Sequence, residues 1–213
     1  VSVNRTDFVL DGEKKRFIQL GTVMTDERYR GRGMIRRLMV EVERDCAGKA
    51  DGVYLFANDT VLDFYPKFGF RRAAEVRYAR ALEPGGAASA VRVPMRDREA
   101  WDRLTAMIRS SAPCGRFSLC GNTCLPLFYV SKFMQDCVYR VAPETYAVAA
   151  LEDGVLHLYA VYAEKQPAPE AVARAFGGAV RRVQLGFTPL DTTGWEAEAV
   201  REDDTTLFVR GAG

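Results

Sequence analysis

The segment Gly21–Arg44, GTVMTDERYRGRGMIRRLMVEVER, decides how the chain folds. Its second half carries apolar side chains at helical spacing, with charged residues on the other faces. The apolar positions are Ile35, Leu38, Met39, Val42 and Cys46. This pattern predicts an amphipathic helix that ends near Gly48. In the turn before the helix, Gly31 and Gly33 can adopt backbone conformations that other residues avoid.

A glycine-rich turn that opens a helix directs unpaired backbone N–H groups at one place, where the helix dipole adds partial positive charge. Such a turn binds phosphate groups, and Arg28, Arg30 and Arg32 would add charge-assisted hydrogen bonds. A basic surface turn that only caps the helix is the simpler alternative. The turn lacks both the Gly-Lys-Ser/Thr of the P-loop and the Gly-x-Gly-x-x-Gly of dinucleotide-binding folds, so neither of these phosphate sites is expected.

Strands are predicted on both sides of this segment. Residues 1–25 are typical of a hairpin with Asp11-Gly12 at its turn. The run Gly52–Ala57, GVYLFA, is short, apolar and rich in strand-forming residues, which predicts a buried strand. In NDTVLDFYPKFGF, which follows, Asn58 and Asp59 are candidate caps for a short helix, and a turn is expected at Gly69. The next run, FRRAAEVRYARAL, predicts at least one more strand.

A change of composition divides the chain at Glu83–Ala90, EPGGAASA, where small, flexible residues indicate a linker. We therefore expect two domains, residues 1–82 and residues 91–213. The second begins with a predicted helix over 97–110 that has Trp101, Leu104 and Ile108 on one stripe. Its other predicted elements are a hairpin around Glu152-Asp153-Gly154, a helix within 167–178, and strands at 180–187 and 204–211. The similar order of elements in the two halves suggests a structural duplication.

Composition narrows the class of protein. The chain has 213 residues, of which 48% are hydrophobic, enough for two small cores. Its 30 basic and 28 acidic side chains give a net charge of +2, so no broad basic field attracts nucleic acid or an anionic membrane. No apolar run approaches the roughly 18 residues of a membrane span, and no signal-peptide pattern is present. A cytoplasmic location is expected.

The cysteines do not indicate a disulfide framework or a metal site. The chain has five, an odd number. Cys114, Cys120 and Cys124 are spaced more widely than the cysteine pairs of zinc sites, and the single histidine, His157, is distant in sequence. We expect reduced, partly buried thiols.

Two motifs resemble one family. The run GTVMTDERYRGRGMIRRLM, from Gly21, resembles the acetyl-coenzyme A signature of the GNAT superfamily of N-acetyltransferases, whose loop follows the pattern Gln/Arg-x-x-Gly-x-Gly/Ala. Placed on residues 30–35, the pattern has Ile35 where the family prefers glycine or alanine, although the backbone N–H is kept. The run YLFANDTVLDFYPKFGF, from Tyr54, resembles the next strand of the family, its asparagine and the helix that carries Phe-Tyr-x-x-x-Gly-Phe. Together the motifs cover about residues 15 to 75.

The resemblance implies a GNAT acyl-coenzyme A N-acyltransferase fold, an α+β fold with a mixed sheet, in two GNAT-like domains arranged in tandem. The first, residues 1–82, would be catalytic but lacks the first strand and helices of the family, so residues upstream of Val1 are expected to be missing. The second resembles the degenerate partner domain of tandem GNAT proteins, because residues 163–176, AEKQPAPEAVARAF, have prolines in place of a glycine-rich turn. The first motif also resembles the Eis-type aminoglycoside acetyltransferases.

The resemblance also implies the reaction and its residues. The co-substrate would be acetyl-coenzyme A, with its pantetheine arm along a strand that carries Val23 to Thr25 and splays from its neighbour. Tyr65 would protonate the leaving thiolate as general acid, the alternative being a packing aromatic residue. Asn58 would contact the cofactor or a water, the alternative being a helix cap. The residues implied for cofactor binding are Val23, Met24, Thr25, Arg30, Gly31, Arg32, Gly33, Met34, Ile35, Arg36 and Asn58.

Several alternatives stay open at this level. The family often has a glutamate as general base where this chain has Gln19, so a water relay or another carboxylate such as Glu75 would be needed. The acceptor would be a small-molecule or peptide amine, and a homodimer is consistent with the family. A non-catalytic module that binds or senses coenzyme A is the second hypothesis. Nucleic-acid binding through the arginines agrees least with the near-zero net charge.

Overall fold

The computed structural model describes residues 1–83, 85–200 and 202–211. The α-helices are α1 (Met34–Cys46), α2 (Arg98–Ser110), α3 (Cys124–Phe133) and α4 (Pro169–Arg174). The strands are β1 (Ser2–Leu10), β2 (Glu13–Gly21), β3 (Gly52–Ala57), β4 (Arg71–Arg72), β5 (Val76–Ala81), β6 (Val91–Arg92), β7 (Phe117–Cys120), β8 (Val138–Ala142), β9 (Thr145–Glu152), β10 (Val155–Tyr162), β11 (Arg182–Leu185), β12 (Glu196–Ala199) and β13 (Thr206–Arg210). None of the helices in these ranges is both long and apolar enough to cross a membrane.

The chain forms two compact units. The first contains Val1–Phe8, Glu13–Glu75 and Ala199–Gly213, and the second contains Val9–Gly12 and Val76–Glu198. This division differs from the predicted domains 1–82 and 91–213, because β5 pairs with β11 whereas β13 returns to pair with β3. Strand pairing between residues distant in sequence therefore sets the boundary, which composition alone could not show.

The predicted linker at 83–90 is also attached to the second unit. The backbone N–H groups of Ser89 and Ala90 both donate to the carbonyl of Ala175, at 2.8 Å. Pro84, within the predicted linker, lies outside the described residues. The small residues of this segment let it lie close to the end of α4: a Cβ at Gly177 would come within 2.9 Å of the backbone N of Ala88.

The first unit is a mixed sheet with strand order β4-β13-β3-β2-β1. The parallel pair β2 and β3, joined through α1, places Phe17 opposite Gly52 and Gln19 opposite Tyr54. β13 runs antiparallel to both β3 and β4. The buried core comprises Ile18, Leu20, Met39, Cys46, Val53, Leu55, Ala57, Tyr65, Phe70 and Phe208.

The predicted hairpin of β1 and β2 and the predicted helix after the glycine-rich turn are confirmed. Asp11 and Gly12 both have positive φ, 49° and 87°, as a tight two-residue hairpin turn requires. Helix α1 buries Met39 and Cys46 and ends just before Gly48. Leu38, which was predicted on the apolar stripe, is 44% exposed.

The prediction of one short helix after Asn58 is wrong. Two separate 3-10 turns, Asp59–Val61 and Tyr65–Phe68, take its place, and the turn at Gly69 is confirmed by a φ of 78°. The Asn58 side chain caps no backbone N–H; its Oδ1 accepts a hydrogen bond from the Thr60 hydroxyl at 2.6 Å. A residue near the other end of the chain acts there instead, since Asp204 Oδ1 accepts from the Asp59 N–H at 3.0 Å.

The second unit is built on a sheet with strand order β12-β5-β11-β10-β9-β8-β6. β9 and β10 form the predicted hairpin, whose turn has Asp153 and Gly154 at φ 49° and 83°. β10 and β11 are parallel and are joined through α4. Helix α2 starts as predicted, with Asp97 accepting from the Ala100 N–H at 2.9 Å, and it buries Leu104. The sequence patterns did not predict β7 or α3. The prediction of a mixed α+β fold is confirmed.

Candidate active site

A cavity of about 440 Å³ opens between the ends of the parallel strands β2 and β3. Their backbone register runs from the pair Phe17 and Gly52 to the pair Gln19 and Tyr54. Beyond these pairs, the last residues of each strand form opposite sides of the cavity. The lining consists of Leu20, Gly21, Thr22, Val23, Met24, Ile35, Phe56, Ala57, Asn58, Val61, Phe64 and Tyr65. Four of these, Val23, Met24, Ile35 and Asn58, were predicted to bind the cofactor, and Tyr65 to act as general acid.

The chain leaves the sheet directly at this cavity. β2 ends at Gly21, and Thr22 has a positive φ of 49°. Residues 23–25 therefore do not belong to the strand, contrary to the prediction. Val23 and Met24 line the cavity, whereas Thr25 does not: its carbonyl accepts a hydrogen bond from Arg30 Nε at 3.3 Å.

The glycine-rich turn leads into the first turn of α1. Gly31 and Gly33 have φ values of 76° and 71°, in the left-handed region that favours glycine. The first intrahelical hydrogen bond runs from the Arg37 N–H to the Gly33 carbonyl at 3.2 Å. The N–H groups of residues 34–36 consequently have no partner within the helix, and its first turn contains no acidic side chain. This end of α1 has the backbone geometry of an anion site.

Two of the three arginines of the turn already form ion pairs with acidic residues nearby. Arg28 makes a two-pronged ion pair with Asp26, with both N–O distances at 3.0 Å, and this hydrogen bonding lowers the pKa of the Asp26 carboxyl. Arg30 pairs with Glu27 at 3.2 Å. Arg32 lies over the ring of Tyr29, 5.3 Å from the ring centroid, and forms no ion pair with a described residue.

The loop pattern fits better two residues earlier than on residues 30–35. Arg28, Gly31 and Gly33 satisfy all three defined positions of Gln/Arg-x-x-Gly-x-Gly/Ala. Both glycines then fall on the two positive-φ positions, and the pattern ends where α1 begins. Ile35 is no longer a departure from the pattern. Its side chain packs against the core of the first unit and lines the cavity.

Tyr65 is held rigidly by aromatic neighbours. Its ring is 6% exposed and lies 6.1 Å from the ring of Phe70 and 5.7 Å from that of Phe208. Burial raises the pKa of the Tyr65 phenol, so it is fully protonated at neutral pH. The hydroxyl forms no hydrogen bond within the described part of the chain, and no polar side-chain atom there is buried without a partner. The phenol is thus open to the cavity that it lines.

Tyr65 is the only titratable side chain among the lining residues. Neither Gln19 nor Glu75, the positions considered for a general base, belongs to the lining. Glu75 is half-buried, and burial together with the charge of Glu202 raises the pKa of its carboxyl. The described cavity therefore has a proton donor but no side-chain base. No group of three His, Cys, Asp or Glu residues in the described ranges could hold a metal ion.

The corresponding parallel strands of the second unit are β10 and β11. β10 and β11 are paired from Val155 and Arg182 to Leu158 and Leu185, and the Gly186 N–H continues the ladder to the Leu158 carbonyl at 2.8 Å. Helix α4 begins with a proline, and residues 163–168 before it contain no glycine. β10 continues past this point to Tyr162, with a bulge in its pairing to β9 between Leu158 and Ala160. The second unit therefore differs from the first in that its helix lacks a glycine-rich turn.

Sequence reasoning missed part of the lining. Gly21, Thr22, Phe56 and Val61 were not singled out, because the resemblance implied no chemical role for these positions within the two motifs. Strand alternation places Phe56 on the face opposite Leu55, which is buried in the core. Strand alternation was the only sequence signal for Phe56, and it does not indicate where β2 and β3 separate.

Comparison with known proteins agrees with this geometry. Residues 1–73 match the family model of the acetyltransferase (GNAT) domain. No curated protein sequence matches the chain. Solved structures with a similar fold include a probable N-acyltransferase from Enterococcus faecalis V583, with 16% identity and a TM-score of 0.54 over 98% of this chain and 57% of that one.

Two further structures share the fold. A GCN5-related N-acetyltransferase from Kribbella flavida is 19% identical, with a TM-score of 0.55 over 98% of this chain and 55% of that one. Eis1 from Mycobacterium abscessus is 17% identical, with a TM-score of 0.56 over 96% of this chain and 60% of that one. This chain therefore spans between 55% and 60% of the length of the three structures.

Proposed function

We propose that this chain, whose residues 1–73 match the family model of the acetyltransferase (GNAT) domain, transfers an acyl group from an acyl-coenzyme A to an amine. The single observation that carries the proposal is the cavity between the ends of β2 and β3, which has the Tyr65 hydroxyl in its lining. The uncapped N-terminus of α1 follows the lining segment in sequence, after residues 25–33, and Ile35 of its first turn also lines the cavity. An acyl-coenzyme A has one part for each of these features: its diphosphate would bind at the helix N-terminus and its thioester in the cavity.

The backbone of the glycine-rich turn would bind the diphosphate. The N–H groups of residues 34–36 are free of intrahelical bonds, and Gly31 and Gly33 allow a phosphate close to the turn. Arg32 and Arg36 are exposed and form no ion pair with a described residue, so their guanidinium groups are available for charge-assisted hydrogen bonds. Arg28 and Arg30 would instead hold the shape of the loop through their own acidic partners.

The cavity would take the pantetheine arm and the thioester. The chain between Gly21 and Met24 has left the strand ladder, and its backbone groups would bond the amides of the arm as a neighbouring strand would. Asn58 lines the opposite strand end and would add a polar contact. We propose acetyl as the transferred group.

The reaction would be a direct attack. The neutral amine nitrogen forms a bond to the thioester carbonyl carbon, and the carbon–sulfur bond breaks. The Tyr65 hydroxyl gives its proton to the departing sulfur, and the ammonium nitrogen of the product loses a proton to water. With no side-chain base in the described lining, the amine must arrive unprotonated, so transfer accelerates as pH rises toward the pKa of the acceptor.

The second unit would serve a different purpose. Its helix α4 starts at a proline and no glycine-rich turn precedes it, so the backbone anion site of α1 has no counterpart there. We propose that it is a degenerate GNAT-like domain with a structural or acceptor-shaping role.

One observation favours a second candidate function. Because Tyr65 is the only titratable group in the described lining, the chain could bind or sense coenzyme A without catalysis. Turnover separates the two functions. The full chain would be incubated with acetyl-coenzyme A and a panel of amines, comprising small polyamines, aminoglycosides, a peptide with a free N-terminus and a lysine peptide, while free thiol is followed with a thiol reagent.

Thiol release that depends on an amine, with an acetylated product in the mass spectrum, is the expected result. Equilibrium dialysis with coenzyme A provides the control for binding. Tight binding with no amine-dependent thiol release would reject the transferase and leave the binding module.

A further inference from the structure

In the second unit, β10 is longer than its pairing with β11. The register of this parallel pair ends with Leu158 and Leu185, and β11 itself ends at Leu185. β10 continues to Tyr162 and stays paired with β9 on its other side. The edge of β10 that β11 has left therefore needs other partners for its buried backbone groups.

Residues 111–116, which follow α2 and are called the strap below, supply those partners. The Ala112 N–H donates to the Ala163 carbonyl at 2.9 Å, and the Ala163 N–H donates to the Ser111 hydroxyl at 3.1 Å. The Cys114 sulfur forms a hydrogen bond with the backbone of Val161. The strap thus lies along the end of β10 as a neighbouring strand would.

The strap also contacts the residues that follow β11. The Arg116 N–H donates to the Thr188 carbonyl at 2.9 Å. Gly115 is buried, and a Cβ there would lie 2.2 Å from the Thr188 carbonyl oxygen and 3.2 Å from the Phe187 ring. The backbone of the strap therefore fills the space between the two strand ends, and no side chain fits at Gly115.

Two polar side chains hold the strap in place. Gln166 Nε2 donates to the Ala112 carbonyl at 2.8 Å and lies 3.2 Å from the Val161 carbonyl, so it connects the strap to β10. The Ser118 hydroxyl, which is buried, accepts from the Gly115 N–H at 3.1 Å and donates to the Gly115 carbonyl at 3.0 Å. The strap is thereby bonded on both sides and within itself.

The same place in the first unit is a cavity. In each unit a parallel pair of strands is joined through a helix, β2 and β3 through α1 and β10 and β11 through α4, and the two strands separate at their ends. Gly21 to Met24 and Phe56 to Asn58 line the cavity of the first unit. In the second unit, the strap occupies the space between the corresponding strand ends.

We propose that the strap is a built-in occupant of the second unit, bonded to β10 where the pantetheine arm would be bonded to the end of β2. The chain consequently binds one acyl-coenzyme A, in the first unit, and the strap stays in place when it does. The comparison with the pantetheine arm rests on the proposed transferase function, whereas the occupied space in the second unit does not.

The first test measures how well the strap shields Cys114. A pulse of N-ethylmaleimide, mapped by mass spectrometry on the full chain, should alkylate Cys114 about tenfold more slowly than the exposed Cys124. Gly115→Val forces a side chain against the Thr188 carbonyl, so it should speed the alkylation of Cys114 by about tenfold and leave Cys124 unchanged. Gly85→Val is the control, because a Cβ there meets no atom within 4 Å.

A second variant covers the case in which Gly115→Val does not fold. Gln166→Ala removes only side-chain hydrogen bonds to the strap and to β10. It should speed amide hydrogen exchange in residues 111–116 by about tenfold, while the amides of β9 stay protected. Alkylation of Cys114 as fast as that of Cys124 in the wild type would overturn the proposal. Wild-type alkylation and exchange in Gln166→Ala would also overturn it.

The last test uses coenzyme A itself. Calorimetric titration of the wild type should give one site per chain, and saturation with coenzyme A should leave hydrogen exchange in residues 111–116 unchanged. Two sites per chain, or a strap whose exchange changes on saturation, would overturn the proposal. If the wild type binds no coenzyme A, the proposed function is rejected, and the alkylation and exchange measurements still decide whether the strap occupies the second unit.

Discussion

The ring of Phe208 lies 5.7 Å from the ring of Tyr65, although the two residues are far apart in sequence. Phe208 is fully buried in β13, which pairs with β3 and places Phe208 opposite Leu55. The last strand of the chain therefore supports the side chain on which the proposed proton transfer depends. Completion of the candidate site requires residues that composition would assign to the second half of the protein.

This packing predicts that Phe208→Ala destabilises the first unit and disturbs Tyr65. Removing a fully buried phenylalanine costs about 3 to 5 kcal/mol. Chemical denaturation should show that loss, and kcat should fall because Tyr65 loses one wall of its ring pocket. Val209→Ala on the same strand is the matched control, since Val209 is only half-buried. A loss of equal size in both variants would contradict the specific role of Phe208.

The phenol of Tyr65 is predicted to act only in the chemical step. Tyr65→Phe keeps the ring packing but removes the proton donor, so kcat should fall by about 100-fold or more. The affinity for coenzyme A, measured by calorimetry, should stay within twofold of wild type. Tyr139→Phe, in the second unit, removes a phenol that does not line the cavity and should leave kcat unchanged. A Tyr65→Phe variant with wild-type kcat would remove Tyr65 from the mechanism.

The Tyr65 phenol is predicted to make both activity and stability depend on pH in the alkaline range. Burial raises its pKa above the ordinary value of 10.0, so the fold favours the protonated form. The activity of the wild type should therefore decline only as pH rises above the usual range of tyrosine ionisation. The stability contributed by neutral Tyr65 is complete below pH about 10 and is lost as pH rises through the raised pKa. Burial also raises the pKa of Tyr162, which lowers stability in the same direction, so Tyr65→Phe should reduce the alkaline loss of stability between pH 8 and pH 11 without removing it, as followed by urea denaturation. An undiminished loss would exclude Tyr65 as a contributor.

Local patterns predicted the local elements well. The run GVYLFA gave the bounds of β3, and the two Asp-Gly dipeptides marked hairpin turns, because each of these signals resides in a few adjacent residues. The cap of the 3-10 turn that begins at Asp59, in contrast, does not depend on adjacent residues. Its partner is Asp204, 145 residues away, and no periodicity in either segment indicates the other.

The candidate site was predictable only in part for the same reason. Gly31, Gly33 and Tyr65 belong to motifs whose residue types have a chemical purpose, so the sequence singled them out. The close approach of the Ser2 hydroxyl to Gly21 depends on an adjacent strand, and the cavity depends on where β2 and β3 separate. Such features follow from three-dimensional register and not from composition. The predicted roles of the arginines also needed the structure, since acidic neighbours already hold Arg28 and Arg30.

Among Arg28, Arg30 and Arg32, the three arginines of the glycine-rich turn, Arg32 is predicted to contribute most to coenzyme A affinity. It has no ion-pair partner in the described part of the chain, whereas Arg28 is bound to Asp26. Arg32→Ala should weaken coenzyme A binding by roughly tenfold, which corresponds to one hydrogen bond to a charged group, and should make binding less sensitive to salt. Arg44→Ala changes the net charge equally but removes an arginine near the other end of α1, paired with Glu41, and should have little effect. Equal losses in the two variants would indicate a general charge effect.

Substitution of the two glycines that flank α1 distinguishes an effect on phosphate binding from an effect of backbone strain. Gly33 precedes the helix at φ 71° and Gly48 follows it at φ 69°, and a Cβ at either position would meet no atom within 4 Å. Alanine at either site should therefore cost a similar free energy of unfolding, about 1 kcal/mol, because only the left-handed conformation is penalised.

The affinity for coenzyme A should respond differently to the two substitutions. Gly33→Ala favours a different backbone conformation at the uncapped N–H groups of residues 34–36 and should weaken binding several-fold or more, whereas Gly48→Ala lies at the far end of the helix and should bind as wild type. Melting curves and calorimetric titration with coenzyme A measure the two effects independently. Equal weakening in both variants would mean that binding follows the stability of α1, and the anion site at its N-terminus would have to be abandoned.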